Sequence, residues 1–251
     1  MKKFLFAAIG APLFALSMPS KAIAHDTFVC DTGILCDTCT YGLAGLGPGE
    51  VPEDVDLVVP PGGGCILDSS LGDGIVTVDG DVIVSEDAAF VSLGAKIEGD
   101  VKADGAALVQ FFQDIIFGQF GEPVLSVVEG DVRISGAIGT NDEIGEFPTA
   151  HSLCGMIVDG DVKLKGIIGS KAIQVGDLTV CIASATIDGD LRISDNQTAS
   201  ILVSNNVIDG DLICKRNVPP VSGDAGSNVV DGKVKGDCAD LAASTDDDDD
   251  D

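Results

Sequence analysis

Acidic side chains flank a glycine at six places along the sequence, and each pair offers oxygen ligands to a cation. The pairs are Asp79 and Asp81, Glu98 and Asp100, Glu129 and Asp131, Asp159 and Asp161, Asp188 and Asp190, and Asp209 and Asp211. Calcium prefers several carboxylate oxygens at one site. The sequence therefore offers a row of candidate calcium sites, and calcium is the one cofactor that these twelve residues suggest.

Basic residues three places after four of these glycines, and three places after Gly232, give the carboxylates an alternative role. They are Lys102, Arg133, Lys163, Arg192 and Lys235. Residues two apart on a strand share a face, so each base would lie beside the aspartate that follows its glycine. We favour this ladder of ion pairs over a row of calcium sites. The repeat also lacks the nonapeptide spacing of calcium-binding β-rolls.

The element that must position these residues is a short strand that recurs. Six copies read β-branched residue, acid, Gly, Asp, aliphatic residue, and a seventh at residues 230–234 has Lys233 in place of the second acid. Apolar and polar residues alternate with the period of a strand, whereas the interval between copies varies from 19 to 31 residues. Constant strands with variable connections are typical of solenoids. We predict an all-β fold, a single-stranded right-handed parallel β-helix, with the handedness usual for parallel connections.

Eight cysteines predict disulfide bonds. An even count in an exported chain favours disulfides over zinc or redox chemistry, which the pair Cys36 and Cys39 would otherwise suggest. Cys154 and Cys181 are about one coil apart, as are Cys214 and Cys238, and residues stacked on neighbouring coils are close enough to be bridged. The remaining Cys30, Cys36, Cys39 and Cys65 would staple an N-terminal cap, with their pairing left open.

The ends of the chain differ from the repeats. Residues 1–24 are predicted to be a signal peptide, because Lys2 and Lys3 precede an apolar run and Ala22-Ile23-Ala24 offers a cleavage pattern. Residues 25–74 form the Cys-, Gly- and Pro-rich cap, residues 75–238 the β-helix, and residues 239–251 a disordered acidic tail. We expect a secreted or cell-surface protein, with the periplasm as the alternative.

Charge narrows the class of partner. The chain carries a formal net charge of −27, and loss of Lys2, Lys3 and Lys21 with the signal makes it more negative. Repulsion from phosphates excludes a nucleic-acid binder that tracks the backbone. The apolar runs are also too short for a membrane span. Cell-surface or matrix components are the expected partners.

A phenylalanine-rich segment at residues 108–120 interrupts the repeats. It contains Phe111, Phe112, Phe117 and Phe120, and its apolar spacing approaches that of an amphipathic helix. We expect a short helix or loop that packs onto the solenoid wall. The alternative is an exposed patch that contacts a partner or a second copy of the chain.

No catalytic constellation stands out. There is no serine-histidine-acid set, the Lys and Arg are scattered, and the aromatic rings that carbohydrate platforms favour are few, with one tyrosine and no tryptophan. We predict a non-catalytic exported structural or surface- and matrix-binding protein. The alternatives are a polysaccharide-active β-helix enzyme and a calcium-dependent adhesin.

Two resemblances accompany this interpretation. Copies such as Ile97-Glu98-Gly99-Asp100-Val101 resemble those of bactofilins, bacterial filament-forming proteins with a β-helical core, over much of residues 76–237. The stretches 206–214, 217–219, 228–233 and 236–238 resemble the final repeat of exported bacterial β-solenoid proteins of unknown function. The second resemblance implies secretion and a Cys214–Cys238 bond, and it implies no activity.

Overall fold

The computed structural model describes residues 27–29, 39–41, 56–69, 75–113, 124–136, 138–139, 149–176 and 184–242. Strands in these ranges pair in parallel and stack into three long sheets, to each of which most coils contribute one strand. This arrangement confirms the predicted parallel β-helix, and the right-handed winding stays a prediction. Within the same ranges no helix is long and apolar enough to cross a membrane.

The first sheet contains the strand that follows each glycine-aspartate pair. Numbered along the chain, its strands are β1 (Thr27–Val29), β3 (Asp56–Val59), β6 (Val82–Val84), β9 (Val101–Asp104), β12 (Val132–Ser135), β16 (Val162–Lys165), β20 (Leu191–Ser194), β23 (Leu212–Lys215) and β25 (Val234–Gly236). Neighbours pair without a register shift, so equivalent motif positions lie directly above one another.

Two further sheets complete each coil. The second sheet contains β2 (Cys39–Tyr41), β4 (Gly64–Asp68), β7 (Ala89–Leu93), β10 (Leu108–Phe112), β14 (Thr149–Leu153), β18 (Ala172–Gly176) and β21 (Ile201–Ser204). The third contains β5 (Thr77–Val78), β8 (Lys96–Ile97), β11 (Ser126–Val128), β15 (Met156–Val158), β19 (Thr186–Ile187), β22 (Val207–Ile208) and β24 (Val229–Val230). A short extra pair joins β13 (Ile138–Gly139) to β17 (Ile168–Gly169).

The core forms because side chains alternate along each strand between the inside of the coil and its outer surface. In the first sheet, one inward column consists of valine and leucine residues with no exposed surface, namely Val82, Val101, Val132, Val162, Leu191 and Leu212. Each such side chain contributes roughly 1.5–3 kcal/mol by leaving water. Because every inward position stacks on its equivalent, the core runs as one continuous cluster through the described coils.

Close approach explains the glycine of the repeat. A Cβ built on Gly130 would lie 2.4 Å from Asp100 Oδ1 and 2.8 Å from Gly99 O. Gly160 meets the same obstruction, 2.3 Å from Asp131 Oδ1. The motif glycine lies at the turn from the third sheet to the first sheet, which we call the corner. This turn needs glycine because the neighbouring coil leaves no room for a side chain.

Both ends of the stack extend past the motif copies. Strands β3 and β4 belong to the segment assigned to the cap, and they continue the first and second sheets. At the other end, residues 239–241 of the segment assigned to the tail form a 3-10 helix (Ala239–Leu241), and Leu241 is buried. The aspartate run at residues 246–251 lies outside the described residues.

The short helix or loop expected in the phenylalanine-rich segment is wrong for residues 108–112, which form strand β10 of the second sheet. Phe111 is completely buried and meets the ring of Phe90 edge-on at 5.7 Å between centroids, so it cannot belong to an exposed partner patch. Apolar residues on both sides of β10 had suggested helical spacing, yet Val109 and Phe111 point inward with the period of a strand. Phe112 is half-buried, and Phe117 and Phe120 lie outside the described residues.

Candidate functional site

The aspartate after each motif glycine holds the coil above it. Its Oδ1 accepts the backbone N–H of the residue at the same position in the next coil, at 2.7–2.9 Å throughout. The acceptor–donor pairs are Asp56–Asp81, Asp81–Asp100, Asp100–Asp131, Asp131–Asp161, Asp161–Asp190, Asp190–Asp211 and Asp211–Lys233. The backbone N–H of each residue that follows a motif glycine thus has a carboxylate as its acceptor. Such a hydrogen bond is strong because the acceptor is ionised. We call this column the aspartate ladder.

The second oxygen of most ladder aspartates binds a basic side chain. Lys102 Nζ lies 2.5 Å from Asp81 Oδ2 and 3.1 Å from Asp100 Oδ2. Arg133 binds Asp131, Arg192 binds Asp190, and Lys235 binds Asp211. The predicted ion-pair ladder is therefore confirmed at four of its five bases. The exception is Lys163, which makes no ion pair with any described residue.

These contacts lower the pKa values of two ladder carboxyls, those of Asp190 and Asp211. The side chain of Arg192, followed by the N–H of Asp211, holds the pKa of the Asp190 carboxyl below its ordinary value. Lys235 and the N–H of Lys233 do the same to the pKa of Asp211. Both groups therefore remain ionised acceptors rather than proton donors near neutral pH.

The acidic residues before the glycines form a separate column along the edge of the third sheet. Lys96 Nζ bridges Glu98 at 2.7 Å and Glu129 at 2.9 Å, and these contacts raise the pKa of Lys96. Among the described residues, no ion pair reaches Asp79, Asp159, Asp188 or Asp209. Nor do the described ranges contain a group of three or more His, Cys, Asp and Glu placed to hold one metal ion. The calcium sites stay a prediction.

Strand register gathers basic residues that are scattered along the sequence. Seven of them point outward from the first sheet in two columns, three and five places after the motif glycines. The first column holds Lys102, Arg133, Lys163, Arg192 and Lys235, and the second holds Lys165 and Lys215. The predicted column of five bases is confirmed, and the second column was missed, because the fixed offset from a repeated glycine also aligns Lys165 with Ser194 and Lys215.

A shallow groove of about 330 Å³ lies on this face toward the N-terminal end. Lys102 and Arg133 line it, together with Ser85, Asp104 and Ser135. Ser135 Oγ donates to Asp104 Oδ1 at 3.2 Å. The groove therefore offers hydroxyl and cationic groups side by side on an open surface.

His151 lies inside the second sheet and carries no exposed surface. Its neighbours in register are Val109 and Ile173, and neither ring nitrogen has a hydrogen-bond partner in the part of the chain that the structure describes. Burial lowers the pKa of His151 to about 4. A neutral, enclosed imidazole is a core residue here, with no access to a substrate.

The cysteines follow the stacking. Cys214 and Cys238 form a disulfide with their Cα atoms 5.5 Å apart, which confirms that prediction. Cys154 is disulfide-bonded, and its expected partner Cys181 lies outside the described residues. Cys39 and Cys65 are register partners on β2 and β4. Cys30 and Cys36 fall outside the described ranges.

Buried asparagines hold two other corners and were missed in the sequence. Asn217 Oδ1 accepts Asn196 Nδ2 at 3.0 Å, and Asn228 Oδ1 accepts Asn206 Nδ2 at 2.8 Å. The signal was the spacing of 21 and 22 residues, one coil apart.

Asp56 was missed as the first step of the ladder, since Val55 replaces the motif glycine. Its signal was the match between Asp56-Leu57-Val58-Val59 and Asp81-Val82-Ile83-Val84, which the strand pairing aligns.

Comparison of the chain with protein-family models, with curated proteins and with solved structures finds no match.

Proposed function

We propose that the protein is a non-catalytic, exported β-helix that serves as a rigid structural element and binds cell-surface or matrix components. The observation that carries this proposal is the aspartate ladder, which links successive coils from Asp56 to Lys233. Its charged groups hold the coils in register, so the most regular polar feature of the molecule has a mechanical role.

The ionised state of Asp190 and Asp211 supports a non-catalytic role. A general acid at neutral pH needs a carboxyl whose pKa is raised toward 7, as burial in an apolar site would raise it. Asp190 and Asp211 have their pKa values lowered instead, by hydrogen bonds from basic side chains and from backbone N–H groups. Carboxylates in this state are poor proton donors.

The disulfides support a location outside the cytoplasm. Cys214 and Cys238 are bonded, and Cys154 is bonded as well. Such bonds persist in oxidising compartments. Secretion or display at the cell surface is the proposed location, with the periplasm as the alternative, and kinship with exported bacterial β-solenoid proteins is part of the same proposal.

A glycan panel tests the proposal directly. The purified protein is incubated with acidic and neutral polysaccharides, and new reducing ends are measured beside binding to an isolated cell-envelope fraction. We expect binding to the envelope and no turnover. Turnover that disappears when a single aspartate is changed to asparagine would overturn the non-catalytic assignment.

A further inference from the structure

Three lysines on the first sheet make no ion pair with a described residue, and Asp195, whose charge acts on one of them, Lys165, is itself bound by Arg216 at 2.5 Å. Lys163 and Lys165 lie on β16 and Lys215 lies on β23, and all three are exposed. The other outward bases of this face, by contrast, bind ladder aspartates. We call Lys163, Lys165 and Lys215 the lysine patch.

The patch stands out against the charge of the whole chain. A protein with 41 acidic and 14 basic residues repels anions over most of its surface. On the first sheet, ladder aspartates bind Arg133, Arg192 and Lys235. The lysines of the patch, by contrast, make no ion pair with a described carboxylate. An anion is therefore attracted to this face in preference to the others.

Register sets the spacing of the patch. Ser135, Lys165, Ser194 and Lys215 occupy one outward column on four successive strands. Neighbouring strands are about 4.8 Å apart, so lysine and hydroxyl groups alternate along the helix axis with a repeat of roughly two strand spacings. Lys163 flanks Lys165 two residues earlier on the same strand, on the same face.

We propose that the lysine patch binds an acidic polysaccharide whose chain runs along the helix axis. This inference rests on the surface-binding function proposed above and names the chemistry of its partner. A sugar unit in an extended chain advances by about one strand spacing. Carboxylates on alternate sugars therefore meet Lys165 and Lys215. Sugar hydroxyls donate to the Oγ atoms of Ser135 and Ser194, whose own protons are directed to Asp104 and Asp195. The groove lined by Lys102 and Arg133 continues the same path toward the N-terminus.

A polyuronate fits this face better than a nucleic acid does. Single-stranded nucleic acid is held largely by stacking of its bases on aromatic side chains, and no aromatic ring lies among these outward positions. Polygalacturonate carries one carboxylate on each sugar, much as nucleic acid carries one phosphate on each nucleotide, and it adds hydroxyls that match three lysines interleaved with serines. Because no aromatic ring lies among these outward positions, binding depends on ionic contacts and weakens with salt.

The test is a calorimetric titration of the intact protein with polygalacturonate at low ionic strength. We expect saturable binding that weakens on the order of tenfold between 50 and 200 mM salt, as the release of counterions by a few contacts implies. The variant K163Q/K165Q/K215Q is expected to lose at least tenfold in affinity, whereas K163R/K165R/K215R keeps it within about twofold, since arginine retains the charge.

A matched control separates local from overall charge. Lys96→Gln removes one positive charge at the third sheet and should leave affinity unchanged, whereas Lys165→Gln removes one from the patch and should weaken binding. Equal losses in the two variants would overturn the proposal. Tighter binding of single-stranded poly-dT or of a hexa-aspartate peptide, which mimics residues 246–251, would overturn it as well.

The same titrations keep the two proposals distinguishable. Polygalacturonate that binds through the patch and is also cleaved would contradict the non-catalytic function and support the glycan site. Absence of polygalacturonate binding, together with undiminished binding of the K163Q/K165Q/K215Q variant to the envelope fraction, would overturn the glycan site alone.

Discussion

Asp190 accepts the backbone N–H of Asp211 on its Oδ1, at 2.7 Å. The other oxygen of the same carboxylate binds Arg192 at 2.5 Å. One side chain therefore joins two coils and fixes a basic residue of its own strand. Repetition of this arrangement through the stack makes the aspartate ladder the main polar determinant of register.

Replacement of Asp190 tests its two bonds separately. Asp190→Ala leaves the part-buried N–H of Asp211 without an acceptor and should lower the free energy of unfolding by about 1–3 kcal/mol. Asp190→Asn keeps an oxygen acceptor but loses the exposed ion pair and the charge of the acceptor, so it should cost less than Asp190→Ala, about 1 kcal/mol. Urea denaturation followed by circular dichroism measures both changes.

Asp188→Ala is the matched control for Asp190→Ala. Asp188 lies two residues earlier, is exposed, and makes no ion pair with a described residue. We expect its replacement to change the free energy of unfolding by less than about 0.5 kcal/mol. Equal losses at positions 188 and 190 would show that the ladder bonds contribute nothing specific.

The motif glycine should tolerate no side chain. Gly130→Asn places a Cβ 2.4 Å from Asp100 Oδ1 and should destabilise the fold by more than about 2 kcal/mol. Gly166→Asn is the control, because Gly166 has φ +66°, a conformation that asparagine adopts, and its nearest obstruction is 4.0 Å away. Melting temperatures compare the two variants, and a Gly130 variant as stable as the Gly166 variant contradicts the close approach.

Burial of His151 predicts a loss of stability in mild acid. Its pKa is about 4 in the folded chain against 6.5 in the unfolded chain, so the unfolded state binds the proton first. The stabilisation is complete above pH 6.5 and is lost as the pH falls toward 4, by roughly 3 kcal/mol in total. Urea midpoints measured from pH 7 to 4 should fall steeply for the parent chain.

His151→Leu removes the titrating group and places an apolar side chain between Val109 and Ile173. We expect its urea midpoint to vary less between pH 6.5 and 4 than that of the parent chain. Asp190 and Asp211 stay ionised through this window, since Arg192 and Lys235 hold the pKa values of the two carboxyls below their ordinary value. Parallel pH profiles for the two chains would rule out His151 as the acid-sensitive group.

The Cys214–Cys238 disulfide closes the last coil across 24 residues. The double change Cys214→Ala and Cys238→Ala should destabilise that end by about 3 kcal/mol, as loop closure of this length predicts. Hydrogen exchange should quicken in β23 and β25, while β6 and β9 keep their protection, because a solenoid is stabilised mainly between neighbouring coils. Uniform loss of protection through all coils would contradict this local role.

Some features follow directly from the sequence. The first sheet was predictable because each glycine fixes the register of Asp81, Asp100 and their equivalents, and a period of two then decides which side chains face inward. The lysine patch could have been predicted in the same way, since Lys165 and Lys215 each lie five residues after a motif glycine.

Other features depend on contacts that the sequence does not display. Strands of the second sheet lack a motif, and outward positions such as Gln110 and Ser152 are nevertheless buried, which obscures the alternation around Phe111. The enclosure of His151 depends on which strands flank β14, and the variable length of the coils hides that pairing.

A melting curve with and without calcium tests the central claim most directly, namely that the aspartate ladder holds neighbouring coils together instead of binding calcium. Most ladder carboxylate oxygens already bind a backbone N–H group or a basic side chain. The melting temperature should therefore be the same in excess calcium and in chelator. A calcium-dependent rise that disappears in the Asp131→Asn and Asp161→Asn variants would contradict the account and favour a calcium-dependent adhesin.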